Sequence, residues 1–180
     1  MSIYSEFNGF GDSPRPAWTG LNTWFQQTPA EILQAKQEQA RLAFFREGIT
    51  FSLAGDASGV ERAIPFDILP RVLTQSEWQY LSRGLAQRVQ ALNLFLQDVY
   101  NDQRILRDGI IPSEVILGNS QYRQEMKGIQ VPLGVYAAIS GIDLVRTDEL
   151  SFYVLEDNLR VPSGVSYMLE NRRILSQIEP

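Results

Sequence analysis

Apolar residues in the middle of the chain recur at helical steps. In "QSEWQYLSRGLAQRVQALNLFLQDVYND", Trp78, Leu81, Leu85, Val89, Leu92, Phe95 and Val99 fall three or four apart. That spacing predicts a long helix with one buried stripe. Thr74 and Glu77 before it form a capping box, in which Thr side chain and Glu side chain each satisfy the other's free backbone N–H. "TPAEILQAKQEQARLAFFREG" reads as an earlier helix. Thr28 is its expected N-cap, Pro29 its first residue, Glu31 the partner of a second capping box, and Gly48 the residue just past its end.

Elsewhere the pattern shifts to extended chain. "ITFSLAGDASGVERAIPFDILPR" predicts a short strand, a glycine-rich turn from Gly55 to Gly59, and a second extended piece held by Pro65 and Pro70. "GIIPSEVILGNSQYRQEMKGI" suggests a turn and a short helix or two. "VPLGVYAAISGIDLVRTDELSFYVLEDNLR" reads as strands with a tight turn near 148–151. Residues 1–27, rich in Gly, Pro and aromatics without a period, are expected to be an extended arm before one mixed unit over 28–180. Helix and strand are interspersed, so the expected class is α+β, a mixed α/β unit.

Composition narrows the chemistry. The chain has 180 residues, 44% of them hydrophobic and 21% charged, as in ordinary globular domains. Its net charge of −5 argues against nucleic acid as the main partner. No apolar run is long enough to span a bilayer, and the first residues lack the basic and apolar blocks of a secretory signal, so a cytoplasmic protein is expected. There is no Cys and no His. Thiol nucleophiles, Ser-His-Asp triads and Cys/His zinc sites are therefore excluded within this chain. Carboxylates, amides and Arg remain, an inventory that suits a hard, oxygen-seeking cation such as Mg²⁺ or Mn²⁺. Lys36 and Lys127 are the only lysines among 16 basic residues, which leaves little to hold nucleotide phosphates.

The predicted hairpin 142–147 and 152–158 carries the most chemistry. With a turn at 148–151, Thr147 pairs with Phe152 and Asp143 with Glu156. Glu156 and Asn158, two apart, share a face, while Asp157 points the other way. Asp143, Glu156 and Asn158 then converge on one patch, where two carboxylates need an arginine or a divalent cation between them. The plainer alternative is a solvated strand face. Arg146 and Arg160 flank the patch: they hold a phosphate or carboxylate by a bidentate fork, or pair structurally with Asp148, Asp157 or Glu170. Glu61-Arg62 and Asp67 with Arg71 are read mainly as a buried ion-pair tie to the long helix. Trp78, Phe95 and Tyr100 are read as core, and Tyr167 and Met168 as packing.

Glu156-x-Asn158 after an apolar strand, with an Asp on the strand before, resembles the metal-binding signature of ATP-grasp ligases. The blocks "GITF", "ERAIPFDILPR", "QRVQALNLFLQDVY", "GIDLVR" and "VLEDNLRVPSGVSYMLENR" are similar to the circularly permuted ATP-grasp type 2 family over nearly the whole chain. The resemblance implies an ATP-grasp-like half whose hairpin metal site packs on helices. It implies ATP as co-substrate, Mg²⁺ or Mn²⁺ held by Asp143, Glu156 and Asn158, and assistance from Arg146 and Arg160. Ser163 and Gly164 resemble the turn that approaches the acyl phosphate. The implied chemistry is carboxylate–amine ligation through an acyl phosphate, with acid and amine unidentified. Family members continue well past this chain's last residue. The chain is thus expected to be a truncated, N-terminal part, inactive alone, with a separately encoded C-terminal half as a candidate partner. The other reading is a non-catalytic remnant serving as scaffold or interaction module. A calcium-binding surface module would need a denser Asp/Gly loop.

Overall fold

A computed structural model describes residues 3–51, 62–63, 65–162 and 164–178. A 3-10 turn, Pro16–Trp18, leads into helix α1 (Thr19–Gln27), and α2 (Ala30–Arg46) follows. A minimal antiparallel ladder joins β1 (Thr50–Phe51) to β2 (Arg62–Ala63). Then come the long α3 (Gln75–Tyr100), the short α4 (Arg104–Arg107) and α5 (Ser113–Leu117), a hairpin of β3 (Gly141–Arg146) and β4 (Phe152–Asn158), and α6 (Gly164–Ile178). The mixed helix and small antiparallel sheet agrees with the expected class. Among the described residues no helix is long and apolar enough to cross a membrane.

Local chemistry fixes several boundaries. The Thr74 hydroxyl accepts from the Glu77 N–H at 3.2 Å, and the Glu77 carboxylate accepts from the Thr74 N–H at 2.8 Å, so the capping box that starts α3 is complete. Gly48 sits past the end of α2 at φ +68°, and the Ile49 and Gly48 N–H groups return to the carbonyls of Phe44 and Phe45. That closes the helix end with a glycine in the left-handed region.

The second capping box does not form. Thr28 ends α1, and its hydroxyl donates back to the Trp24 carbonyl at 2.7 Å. A hydroxyl so engaged leaves α2 to start behind Pro29 with no side-chain cap. The expected extended arm is likewise helical from Pro16 to Gln27. Between Val131 and Ser140 the chain makes a 3-10 turn at Pro132–Gly134 rather than a strand. The expected Gly55–Gly59 turn lies outside the described residues, as do Glu61 and the Arg62 side chain.

The main core lies between α2 and α6. Ala40, Phe44, Ile68, Ile174 and Ile178 are buried together, with Leu33, Ala43, Ile49 and Phe66 against them. Arg173 of α6 pairs with Glu47 at 2.6 Å and with Glu170 on its own helix. Asp67 accepts from the Leu69 N–H, and Arg71 forks onto Glu6, so neither makes the expected buried tie to α3.

Cover over the rest is thin. The chain exposes 12915 Å², whereas a compact monomer of this mass exposes roughly 8,800 Å². On α3 only Leu81 and Val99 of the expected stripe are buried. Trp78, read as core, is 56% exposed, and Met168, read as packing, is exposed as well.

Candidate functional site

The hairpin turn is built by Asp148. Its carboxylate accepts from the N–H groups of Leu150 and Ser151, both at 2.8 Å, and the Thr147 N–H closes onto the Ser151 carbonyl. The Ser151 side chain and these two N–H groups hold the Asp148 carboxyl below its ordinary range. From the turn outward Arg146 pairs with Phe152, Val145 with Tyr153 and Leu144 with Val154. The expected pairing of Thr147 with Phe152 is therefore off by one. The register then shifts between Asp143 and Leu144, so Asp143 faces Glu156, Ile142 faces Asp157 and Gly141 faces Asn158. Leu155 is the extra residue of a β-bulge. It restores the one pairing on which the acidic patch depends.

The two faces of the hairpin differ sharply. Asp143, Val145, Tyr153, Leu155, Glu156 and Asn158 are exposed. The Asn158 amide N–H donates to Glu156 Oε1 at 2.9 Å, which ties the last two together. Among the described residues no three carboxylates gather around a common point. The patch is two carboxylates and an amide, all oxygen donors on a paired strand face. Such a set fits a cation that takes most of its ligands from water or phosphate, as Mg²⁺ does, and gives no purchase to a soft metal.

Gly141 brings the following loop against the strand end. A Cβ there would lie 3.1 Å from the Pro162 Cβ and 3.5 Å from the Asn158 Cβ. Ser163 lies outside the described residues. Gly164 is the exposed first residue of α6, with open space around it.

The inner face of the hairpin binds α3 through ion pairs. Asp157 receives a bidentate fork from Arg88 at 2.7 and 2.6 Å, and these bonds lower its pKa. At the other end Arg146 is buried. Its Nη2 donates to Glu77 Oε1 at 2.5 Å and to the Glu149 carbonyl, and its Nε to the Asp148 carbonyl. Its guanidinium carbon stands 4.8 Å from the Phe152 ring centre and 5.6 Å from that of Tyr4. Arg146 therefore lies on the sheet face opposite Asp143 and Glu156, fixed among structural partners. Arg160, by contrast, is exposed and donates to Gln121 at 2.5 Å. Arg146 does not reach the acidic patch in this arrangement.

Sequence reading missed the organiser of this face, Glu77. The same Oε1 that meets Arg146 also accepts from Arg15 at 2.5 Å, so one carboxylate joins the N-terminal segment, the start of α3 and the hairpin. Burial alone would raise its pKa. The Thr74 N–H, then Arg146, Arg15 and the Thr74 hydroxyl, outweigh that and hold it at about 2. The capping box announced one role for Glu77, but no local pattern announced the two distant arginines.

Residues 70–180 match the family described as a circularly permuted ATPgrasp. The chain is 44% identical to an uncharacterized protein of Synechocystis sp., over 99% of this chain and 37% of the relative. It is 46% identical to an uncharacterized protein of Mycobacterium leprae, over 92% of this chain and 29% of the relative. A Frankia casuarinae protein with the provisional name glutamate–cysteine ligase 2-2 is 40% identical over 98% of this chain and 20% of its own length. The chain thus spans a third or so, or less, of each of these relatives.

Proposed function

The chain belongs to the circularly permuted ATP-grasp family, and on that premise we propose that it forms the metal-holding part of an ATP-dependent carboxylate–amine ligase. The observation that carries this reading is the bulge at Leu155, which sets Asp143 across from Glu156 on an exposed face shared with Asn158. A strand face of solvated charges has no need of that interruption, which costs regular pairing. In the proposed site Asp143, Glu156 and Asn158 hold Mg²⁺ or Mn²⁺. The cation supplies neutralisation of charge on the phosphates of ATP. These three side chains are exposed, on the hairpin face away from α3, and would leave a cation's remaining ligand positions to water or phosphate. The N–H groups of Ser163 and of Gly164, the latter the first residue of α6, are the proposed donors to the acyl phosphate.

Arg146 has a positioning role in this reading. It fixes the turn end of β3 against Glu77 and so holds the register that the bulge completes. Arg160 is free to leave Gln121 for an anionic ligand. A ligase name among the relatives favours amide-bond formation, in the cytoplasm where ATP and magnesium are at hand. The acid and the amine stay at the level of class.

A second reading has its own support. The surface left uncovered, and the small share of each relative that the chain spans, favour a piece that works only when joined to further polypeptide, in the same or a separate chain. Alone it would serve as a scaffold. Calorimetry with ATP and Mg²⁺ separates the two, run on the chain alone and on a fusion carrying the rest of the Synechocystis relative. Tight MgATP binding and phosphate release by the fusion, lost in Glu156→Gln, support the ligase reading. A folded fusion that binds MgATP equally well with Glu156→Gln contradicts it.

A further inference from the structure

The hairpin is tied to α3 at two points and stands off from it between them. Glu77 meets Arg146 near the start of the helix, and Arg88, about three turns on, forks onto Asp157. Between these ties runs a groove of about 690 Å³. Leu81 and Leu85 wall it on the helix, and Leu144, Phe152 and Val154 wall it on the sheet. A helix and a sheet that turn apolar side chains toward each other normally close over them. Here they leave room for the side chains of a further element.

Two features of the wall narrow what fits. Gly84 lines the groove from inside α3, and a Cβ built on it meets nothing within 4 Å. Glycine weakens a helix interior relative to alanine, and no described neighbour requires it here. Ala91, seven residues on, lines the same groove. Small residues on one helix face let a second helix axis come close. The second feature is charge. The lining includes Arg83 and Arg88 and no carboxylate, although the chain as a whole carries −5. Arg83 is exposed and has no ion-pair partner among the described residues. There is also area to spare. Of the 12915 Å² exposed, roughly 4,000 Å² exceeds what a compact monomer shows, and a standard interface takes about 800 Å² from each partner.

We infer that this groove seats an amphipathic helix with an acidic flank, carried by the polypeptide that the longer relatives have outside the matched stretch. That stretch is 37% of the Synechocystis relative, so most of that protein lies beyond it. The helix crosses α3 at Gly84, lays its apolar side on Leu81, Leu85, Leu144 and Phe152, and turns carboxylates toward Arg83 and Arg88. An extended segment would bring unpaired backbone N–H and C=O groups against an apolar wall, whereas a helix satisfies its own. A small apolar molecule would leave the arginines unmatched. A second copy seated face to face would set them against their own counterparts. The inference rests on the reading that the chain works joined to further polypeptide. It makes no use of the metal patch, which lies on the other face of the hairpin.

The test compares the chain alone with the fusion carrying the rest of the Synechocystis relative, by hydrogen–deuterium exchange of peptides spanning 78–92 and 141–158. Both should exchange roughly tenfold or more slowly in the fusion. Gly84→Ala separates a seated helix from a bare one. In the chain alone the methyl enters open space and should slow exchange across α3 roughly fivefold. In the fusion it stands in the contact and should speed exchange roughly fivefold or more. Arg83→Glu should leave the chain alone unmoved and speed exchange in the fusion, more at low salt than at high. Equal exchange in chain and fusion overturns the inference, and so does Gly84→Ala slowing exchange in both. Protection in the chain alone that grows with concentration would put a second copy in the groove and overturn it as well. MgATP binding by the same fusion is read separately. A fusion that binds MgATP while the groove exchanges freely overturns this inference alone. A protected groove without MgATP binding counts against the ligase reading alone.

Discussion

Asp143 faces Glu156 across the hairpin, although one step nearer the turn Leu144 faces Val154. Only the bulge at Leu155 makes both pairings hold. Like charges placed directly opposite repel, typically by a few tenths of a kcal/mol. Asp143→Asn should therefore raise the melting temperature slightly in a metal-free buffer. With millimolar Mn²⁺ the order should reverse, because the wild type gains the cation and the variant does not. Thermal melts with and without Mn²⁺ check this, and a variant less stable in both conditions would speak against the pairing.

Removing Leu155 should leave Asp143 opposite Glu156, since the shortened strand then runs without interruption. The hairpin should keep its other pairs, with a change in stability within about 1 kcal/mol. Cross-strand proton contacts between residues 143 and 156 report the outcome.

Glu77→Gln should destabilise the fold by about 3 kcal/mol, since it strands two arginines, one of them buried. The capping hydrogen bonds to Thr74 can persist through the amide oxygen, so helix α3 should survive while the hairpin loosens. Urea unfolding followed by far-ultraviolet and aromatic signals separates the two effects.

Acid should act through the same carboxylate. The Glu77 carboxyl sits at about 2 in the folded chain against an ordinary 4.5. The folded state thus favours the ionised form, and this stabilisation is complete above pH 4.5 and lost as pH falls through about 2. Glu6, Asp148 and Asp157 are shifted in the same direction. Melting measured across this range should show the gap between wild type and Glu77→Gln closing as pH falls.

Much of this arrangement was legible where the rule is local. The Thr74–Glu77 box and Gly48 are each settled by a few neighbouring atoms, and both are as expected. Thr28 and Glu31 carry the same box signature, yet α1 ends at that very residue and claims its hydroxyl first. Helical period found the apolar side of α3 but not its cover, because period tells which face is apolar and not what lies upon it. The turn-side register was misjudged because a bulge leaves no signature when its extra residue is a leucine rather than a glycine. Glu77 was missed because its bond to Arg146 joins residues 69 apart in sequence, and no short pattern encodes it.

The most direct test of the proposed metal site is a Mn²⁺ titration of the chain observed through paramagnetic broadening. Broadening should centre on Asp143, Glu156 and Asn158, with millimolar affinity, roughly −4 kcal/mol, because two carboxylates and an amide leave most ligand positions open. Glu156→Gln combined with Asp143→Asn should abolish it. Micromolar binding that survives both substitutions, or broadening centred away from the hairpin, would contradict the account.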